Sequence, residues 1–172
     1  MADDLPCGER YLEPYREAVR RFGPGFPATL WSSPQGQRLR FDVMIDLAPL
    51  HGLTVLDAGC GSGDFAQRLI ERGVNFCRYV GIDAVPELIE HARQRHLPRC
   101  EFVVADLLND DAAWRAAMPD IVCISGTLNT MDEASARQFV RRAFDAARQG
   151  VVFNFLSNRP DEVWEGKDLG PA

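Results

Sequence analysis

Apolar and polar positions along the chain follow two rhythms. Short apolar runs recur at 54–57, 77–82, 101–105, 120–125 and 151–156, too short for helices. Between them, apolar residues return every three or four positions, as on one face of a helix. This spacing predicts a helix over 11–22, with Leu12, Tyr15, Val19 and Phe22 on one side and Arg16, Arg20 and Arg21 on the other. Ser32-Ser33-Pro34 predicts the start of a second helix, running over 35–47 with Leu39, Val43, Ile45 and Leu47 and packing Leu39 and Val43 inward. Further helices are predicted up to Arg72, closed by Gly73; over 86–94, with Leu88, Ile89 and Ala92 inward; and over 109–117, anchored by Trp114. A last helix over 132–148 carries Ala136, Phe139, Val140 and Phe144 on one face. Near-continuous apolar strands alternating with amphipathic helices imply an α/β fold, a doubly wound parallel sheet covered on both faces.

The first strand leads into the most informative stretch, 54–69, which reads TVLDAGCGSGDFAQRL. Asp57 ends the strand, and Gly59, Gly61 and Gly63 make a turn that opens a helix near Asp64. A glycine turn lets a ligand lie against the backbone, at the place where α/β sheets bind nucleotides. The dinucleotide fingerprint is G-x-G-x-x-G and delivers a pyrophosphate to the helix end. Here the spacing is G-x-G-x-G, with acids on both sides that would repel a pyrophosphate. Those acids suit a ligand bearing an ammonium or a sulfonium, and S-adenosylmethionine carries both and no phosphate.

VLDAGCGSGDF resembles the first motif of the class I S-adenosylmethionine-dependent methyltransferases. Three more pieces follow in the order of that superfamily, and the resemblance covers about residues 35–156. YVGID ends in Asp83, about 20 residues past Gly63 as in a βαβ unit, and the resemblance implies that Asp83 grips the ribose hydroxyls. Ala84 and Val85 would flank the adenine. FVVAD ends in Asp106, implied to meet the adenine amino group, with the Leu107 N–H beside it. DIVCIS leads to Ser125 and Gly126, which would line the sulfonium, and to Asn129, a candidate substrate contact. Asp57 would bond the cofactor's amino group while also capping the turn through backbone N–H groups. Gly59, Cys60 and Gly61 would act through their backbone. The segment before the core implies a lid, with Trp31, Gln35 and Arg38 as its ligand-facing groups.

The resemblance implies a strand order of 3-2-1-4-5. The family adds two further strands, which this chain lacks, leaving 151–156 near an exposed edge. Such edges invite aggregation, so a truncated chain, a covering tail or a second subunit is expected. The segmentation is an N-terminal helix and lid over 1–34, the cofactor-binding core over 35–156 and a polar tail over 157–172, in a single domain; residues 1–10 are expected to fray.

Composition narrows the acceptor. The net charge of −6 over 172 residues disfavours a broad nucleic-acid footprint. After the fourth strand there is no Asn/Asp-Pro-Pro-aromatic motif of adenine N-methylation, and no cysteine followed by proline for cytosine C5 chemistry. Lys167 is the one lysine, leaving little for Schiff-base or P-loop chemistry. Five cysteines without a CxxC pair read as small thiols of a reducing cytosol. His51, His91 and His96 have no metal-ligand spacing, and no general base stands out. The expected activity is methyl transfer from S-adenosylmethionine to an oxygen, nitrogen or carbon nucleophile of a small molecule, in the cytoplasm. A nicotinamide-linked Rossmann oxidoreductase and a cofactor-binding module without turnover remain as alternatives.

Overall fold

The computed structural model describes residues 7–155. Five parallel strands form one sheet in the order β3-β2-β1-β4-β5. They are β1 (Thr54–Ala58), β2 (Arg78–Asp83), β3 (Cys100–Val104), β4 (Ile121–Ser125) and β5 (Gly150–Asn154). β1 lies at the centre: Asp57 is in register with Gly81 of β2 on one side and with Cys123 of β4 on the other. The strand order reverses between β1 and β4, and the crevice at such a switch point receives the ligand in open α/β sheets.

Among the described residues, six α-helices surround the sheet: α1 (Glu13–Phe22), α2 (Pro34–Leu47), α3 (Asp64–Glu71), α4 (Pro86–Gln94), α5 (Asp111–Ala117) and α6 (Glu133–Ala146). Successive strand residues point to opposite faces. Val55 and Tyr79 thus pack with Phe41, Met44, Phe65, Leu69 and Ile89 of α2, α3 and α4. Leu56, Val80, Val122 and Ile124 pack with Trp114, Phe139 and Ala143 of α5 and α6. A small third cluster, Ala18, Ala28, Val85 and Leu88, ties α1 and the short 3-10 helix Phe26–Thr29 to α4.

Two helix faces differ from expectation. Leu39, Val43 and Leu47 are exposed, at 65%, 49% and 72%, and α2 buries Gln37, Phe41 and Met44 instead. Both sets have helical spacing, so periodicity alone cannot choose between them. The set carrying Phe41 packs, its ring 5.1 Å from that of Phe65 of α3, and Asp42 and Asp46 beside it pair with Arg68 of α3 and Arg72 just past it. On α6, Phe139 and Ala143 are buried but Phe144 is exposed, one position off the inward stripe. Cys77 is likewise exposed, while Cys60 and Cys123 are buried. The predicted tail and the last residue of the fifth apolar run lie outside the described residues.

Candidate functional site

A cleft opens at the carboxyl ends of β1, β2 and β4. Asp57, Gly59, Cys60, Gly61, Asp83, Ala84, Leu107, Ser125 and Gly126 all line it. Gly63, Val85 and Asp106 do not. From the segment before the core come Tyr11, Tyr15, Trp31 and Gln37, while Gln35 and Arg38 stay outside; Arg38 lines a neighbouring groove of about 300 Å³. Asn129 is exposed and outside the cleft.

The glycine turn is held by β2. The Gly59 and Cys60 amides donate to the Ile82 carbonyl at 2.8 and 3.1 Å, and the Gly61 amide donates to Asp83 Oδ2 at 2.9 Å. Gly59 has φ +84°, and a Cβ there would sit 2.1 Å from Thr127 Oγ1, so only glycine fits. A Cβ on Gly61 would meet nothing within 4 Å, which leaves an open cradle above its backbone. Asp83 also accepts from the Val85 amide at 2.9 Å. A carboxylate has about four acceptor sites, so lone pairs remain for a vicinal diol.

Asp57 differs from expectation in its partner. It is buried and accepts from the Tyr79 phenol of β2 rather than from the turn's amides. Burial lifts its carboxyl to about 7; Tyr79 opposes the rise, and Asp83 and Asp64 add to it. Burial also raises Asp83, against the pull of the Val85 and Gly61 amides. Asp64, the second acid beside the turn, is paired: Arg95 Nη1 donates to it at 2.8 Å. Asp106 accepts from Tyr11 at 2.5 Å, from the Leu108 amide at 2.9 Å and from Asn109 Nδ2 at 2.8 Å. Its carboxylate is taken up by the chain itself.

At the far end, Asn154 of β5 ties the loop after β4. It donates to Ser125 Oγ at 2.9 Å and accepts from the Gly126 amide at 3.2 Å. Trp31 lies on Gly126, 3.1 Å from where a Cβ would stand, with the Arg40 guanidinium 5.0 Å from its ring centroid. Sequence reasoning passed over Tyr11, Tyr15, Gln37, Thr127 and Asn154. Gln37 was within reach, since it shares a stripe with Phe41 and Met44. Tyr11 was not, because its partner is 95 residues away. Among the described residues, no cluster of three or more His, Cys, Asp or Glu is placed to hold a metal ion.

A doubly wound sheet with a glycine turn over its first strand and a cleft at its switch point defines the Rossmann-like class of nucleotide-binding folds. Within that class, the sequence model of the methyltransferase domain matches residues 55–150. The chain therefore belongs to the class I S-adenosylmethionine-dependent methyltransferase family, whose cofactor is S-adenosylmethionine. It is 42% identical over 66 residues to a trans-aconitate 2-methyltransferase of Azoarcus sp. (strain BH72), covering 38% of this chain and 24% of that one. It is 27% identical over 121 residues to ribosomal RNA large subunit methyltransferase E of Brachyspira hyodysenteriae, covering 67% and 58%. The solved DhpI–SAH complex shares the fold, with a TM-score of 0.65 and 18% identity over 88% of this chain and 70% of that one. The chain thus spans from a quarter to somewhat over half the length of these two curated relatives.

Proposed function

We propose that the cleft binds S-adenosylmethionine and that the protein transfers its methyl group to an oxygen, nitrogen or carbon nucleophile of a small molecule. The observation that carries this is Asp83, which anchors the glycine turn at Gly61 and keeps lone pairs directed to the cleft. The open space over Gly61 and the carboxylates of Asp57 and Asp83 fit a ligand with a ribose and a cationic amino acid end. Bound there, the cofactor would supply an already activated methyl on a sulfonium.

The residues would do the rest by position. Asp83 would hold the ribose, and ionised Asp57 would face the ammonium. Ser125 and Gly126, fixed by Asn154, would line the methyl end. Trp31 and Tyr15 would cover that end and exclude water, which is the main demand of a displacement on an activated centre. The relatives act on different acceptors, a small acid in one name and ribosomal RNA in another. The net charge of −6 favours the small molecule.

Besides the acceptor, this reading proposes a cytoplasmic protein whose β5 edge is covered, by the C-terminal segment or a second copy. Among the described residues β5 pairs only with β4, and Phe153 and Phe155 are exposed beside it. No described helix is long and apolar enough to cross a membrane. The test is calorimetry with S-adenosylhomocysteine, S-adenosylmethionine and NAD, followed by labelled-methyl transfer to metabolite and RNA fractions. Binding of the first two but not NAD, with label in a small molecule, is the expected result. NAD binding alone points to an oxidoreductase, and label in RNA overturns the acceptor class. Cofactor binding with no transfer leaves a binding module.

A further inference from the structure

The cleft is narrower than its proposed ligand requires. Its cavity is about 80 Å³, whereas pockets for ligands of this size run to about 300–1,000 Å³. The sheet side of the cleft is locked into the hydrogen bonds of β1, β2 and β4, so room has to come from the segment over it. Three aromatic side chains from residues 7–34 reach in: Tyr11, Tyr15 and Trp31. They are held with unequal strength. Tyr15 donates to the Gly126 carbonyl at 3.4 Å, near the limit for a hydrogen bond. Trp31 is held by contact with Gly126 and by Arg40 over its ring. Tyr11 donates to a carboxylate, Asp106, a stronger kind of acceptor than the carbonyl Tyr15 meets.

Asp106 stands at the β3 wall of the cleft. Its neighbours Ala105 and Leu107 line the cavity, but its own carboxylate is turned to Tyr11 and to the turn at Leu108 and Asn109. The Tyr11 ring, not the carboxylate, closes this end. Burial and the adjacent carboxylate keep the phenol protonated, so it remains a donor at working pH.

We infer that the Tyr11–Asp106 bond is a latch that holds the cofactor cleft shut, and that ligand entry requires its release. The inference rests on the proposed cofactor reading of the cleft. A protein whose binding-competent state is a fraction of the population binds with its affinity reduced by that fraction. Removing the latch raises that fraction. Tyr11→Phe keeps the ring and its packing but loses the O–H.

The experiment measures the affinity and association rate of S-adenosylhomocysteine for the full-length wild type and for Tyr11→Phe, with thermal melts of both without ligand. The latch predicts that Tyr11→Phe melts lower yet binds about three- to tenfold tighter, with the gain in the association rate. A purely structural tyrosine gives the opposite, a lower melt with equal or weaker binding, and that result overturns the latch. Wild type that fails to bind while Tyr11→Phe binds supports it. Failure of both proteins to bind refutes the cofactor reading, and the latch falls with it.

Discussion

In the floor of the cleft the glycine turn is held by bonds from backbone to backbone or from backbone to Asp83; the cap reaches the sheet through side chains whose partners are far away in sequence. Gly59, Cys60 and Gly61 are fastened to the end of β2 by three amide bonds, within a register shared with β1. Tyr11, Tyr15 and Trp31 reach the sheet through side chains alone, a phenol on Asp106, a phenol on the Gly126 carbonyl and a ring on Gly126, over the small cluster of Ala18, Ala28, Val85 and Leu88. A floor tied into ladder hydrogen bonds opens only when the sheet opens. A cap that meets the sheet through side chains rather than ladder hydrogen bonds opens at a fraction of the global stability. The same cleft therefore combines a rigid template for recognition with a cover that can move.

The most damaging way to break the floor is Gly59→Ala. The new methyl meets Thr127 Oγ1 at 2.1 Å, and the backbone sits at φ +84°. Overlap and left-handed strain together cost about 2–5 kcal/mol of folding stability. Urea denaturation reads this directly, and a loss under about 1 kcal/mol would show that the turn is as adaptable as the cap. Thr127→Ala in the same chain relieves the overlap but not the strain, so it restores part of the loss.

A smaller effect, read chiefly in binding, comes from Asp83. Asp83→Ala removes the carboxylate proposed to take the ribose, and S-adenosylhomocysteine affinity falls by about 1.5–3 kcal/mol. The Gly61 amide also loses its partner, so the melt is recorded beside the calorimetry. Undiminished affinity in a folded variant removes Asp83 from the site. Asp83→Asn, which keeps one carbonyl acceptor, falls between the two.

The floor also carries a pH dependence that the cap lacks. The Asp57 carboxyl titrates at about 7, raised by burial. A raised carboxyl stabilises the ligand-free fold below its unfolded value near 4, and this contribution is lost as pH rises through 7. A cationic ligand facing Asp57 favours the ionised form and offsets that loss. Ligand-free protein should thus melt higher at pH 5.5 than at pH 8, while S-adenosylmethionine should bind more tightly at pH 8. Asp57→Asn flattens both trends. A flat binding profile in the wild type would separate Asp57 from the ligand's ammonium.

The same contrast decides what could be read from the sequence. The glycine turn and the place of Asp83 were legible because each depends on neighbours a few residues away or on one βαβ unit, and the strand order followed from the family resemblance those motifs carry. The family model over 55–150 covers that part of the chain. The cap was legible only in outline. Trp31 reaches the cleft, but Gln35 and Arg38 do not, because α2 buries the face of Phe41 and Met44 and so turns Gln37 inward. Nothing local to Asp106 announces that a tyrosine 95 residues earlier occupies it. Asp57 was expected to cap the turn beside it, yet its partner is Tyr79, on the same face of β2 two residues before Asp57's register partner Gly81.

The mildest test concerns which residues of the cap matter at all. Trp31 could sit over the ligand or simply pack on Gly126, and α2 offers two glutamines of opposite exposure. Gln37 is buried and donates to Asp64 at 3.5 Å, whereas Gln35 is exposed and lines no part of the cleft. Gln35→Ala should leave stability and S-adenosylhomocysteine affinity within about 0.5 kcal/mol of wild type, as for an ordinary surface position. Gln37→Ala should cost about 1 kcal/mol in either or both, since it strips a buried partner from a charged group. Hydrogen exchange separates cover from packing. If the segment 26–38 closes on the ligand, S-adenosylhomocysteine slows exchange there together with 59–63. Slowing at 59–63 alone makes Trp31 a packing residue, and the moving part of the cap is then confined to the helices that carry Tyr11 and Tyr15.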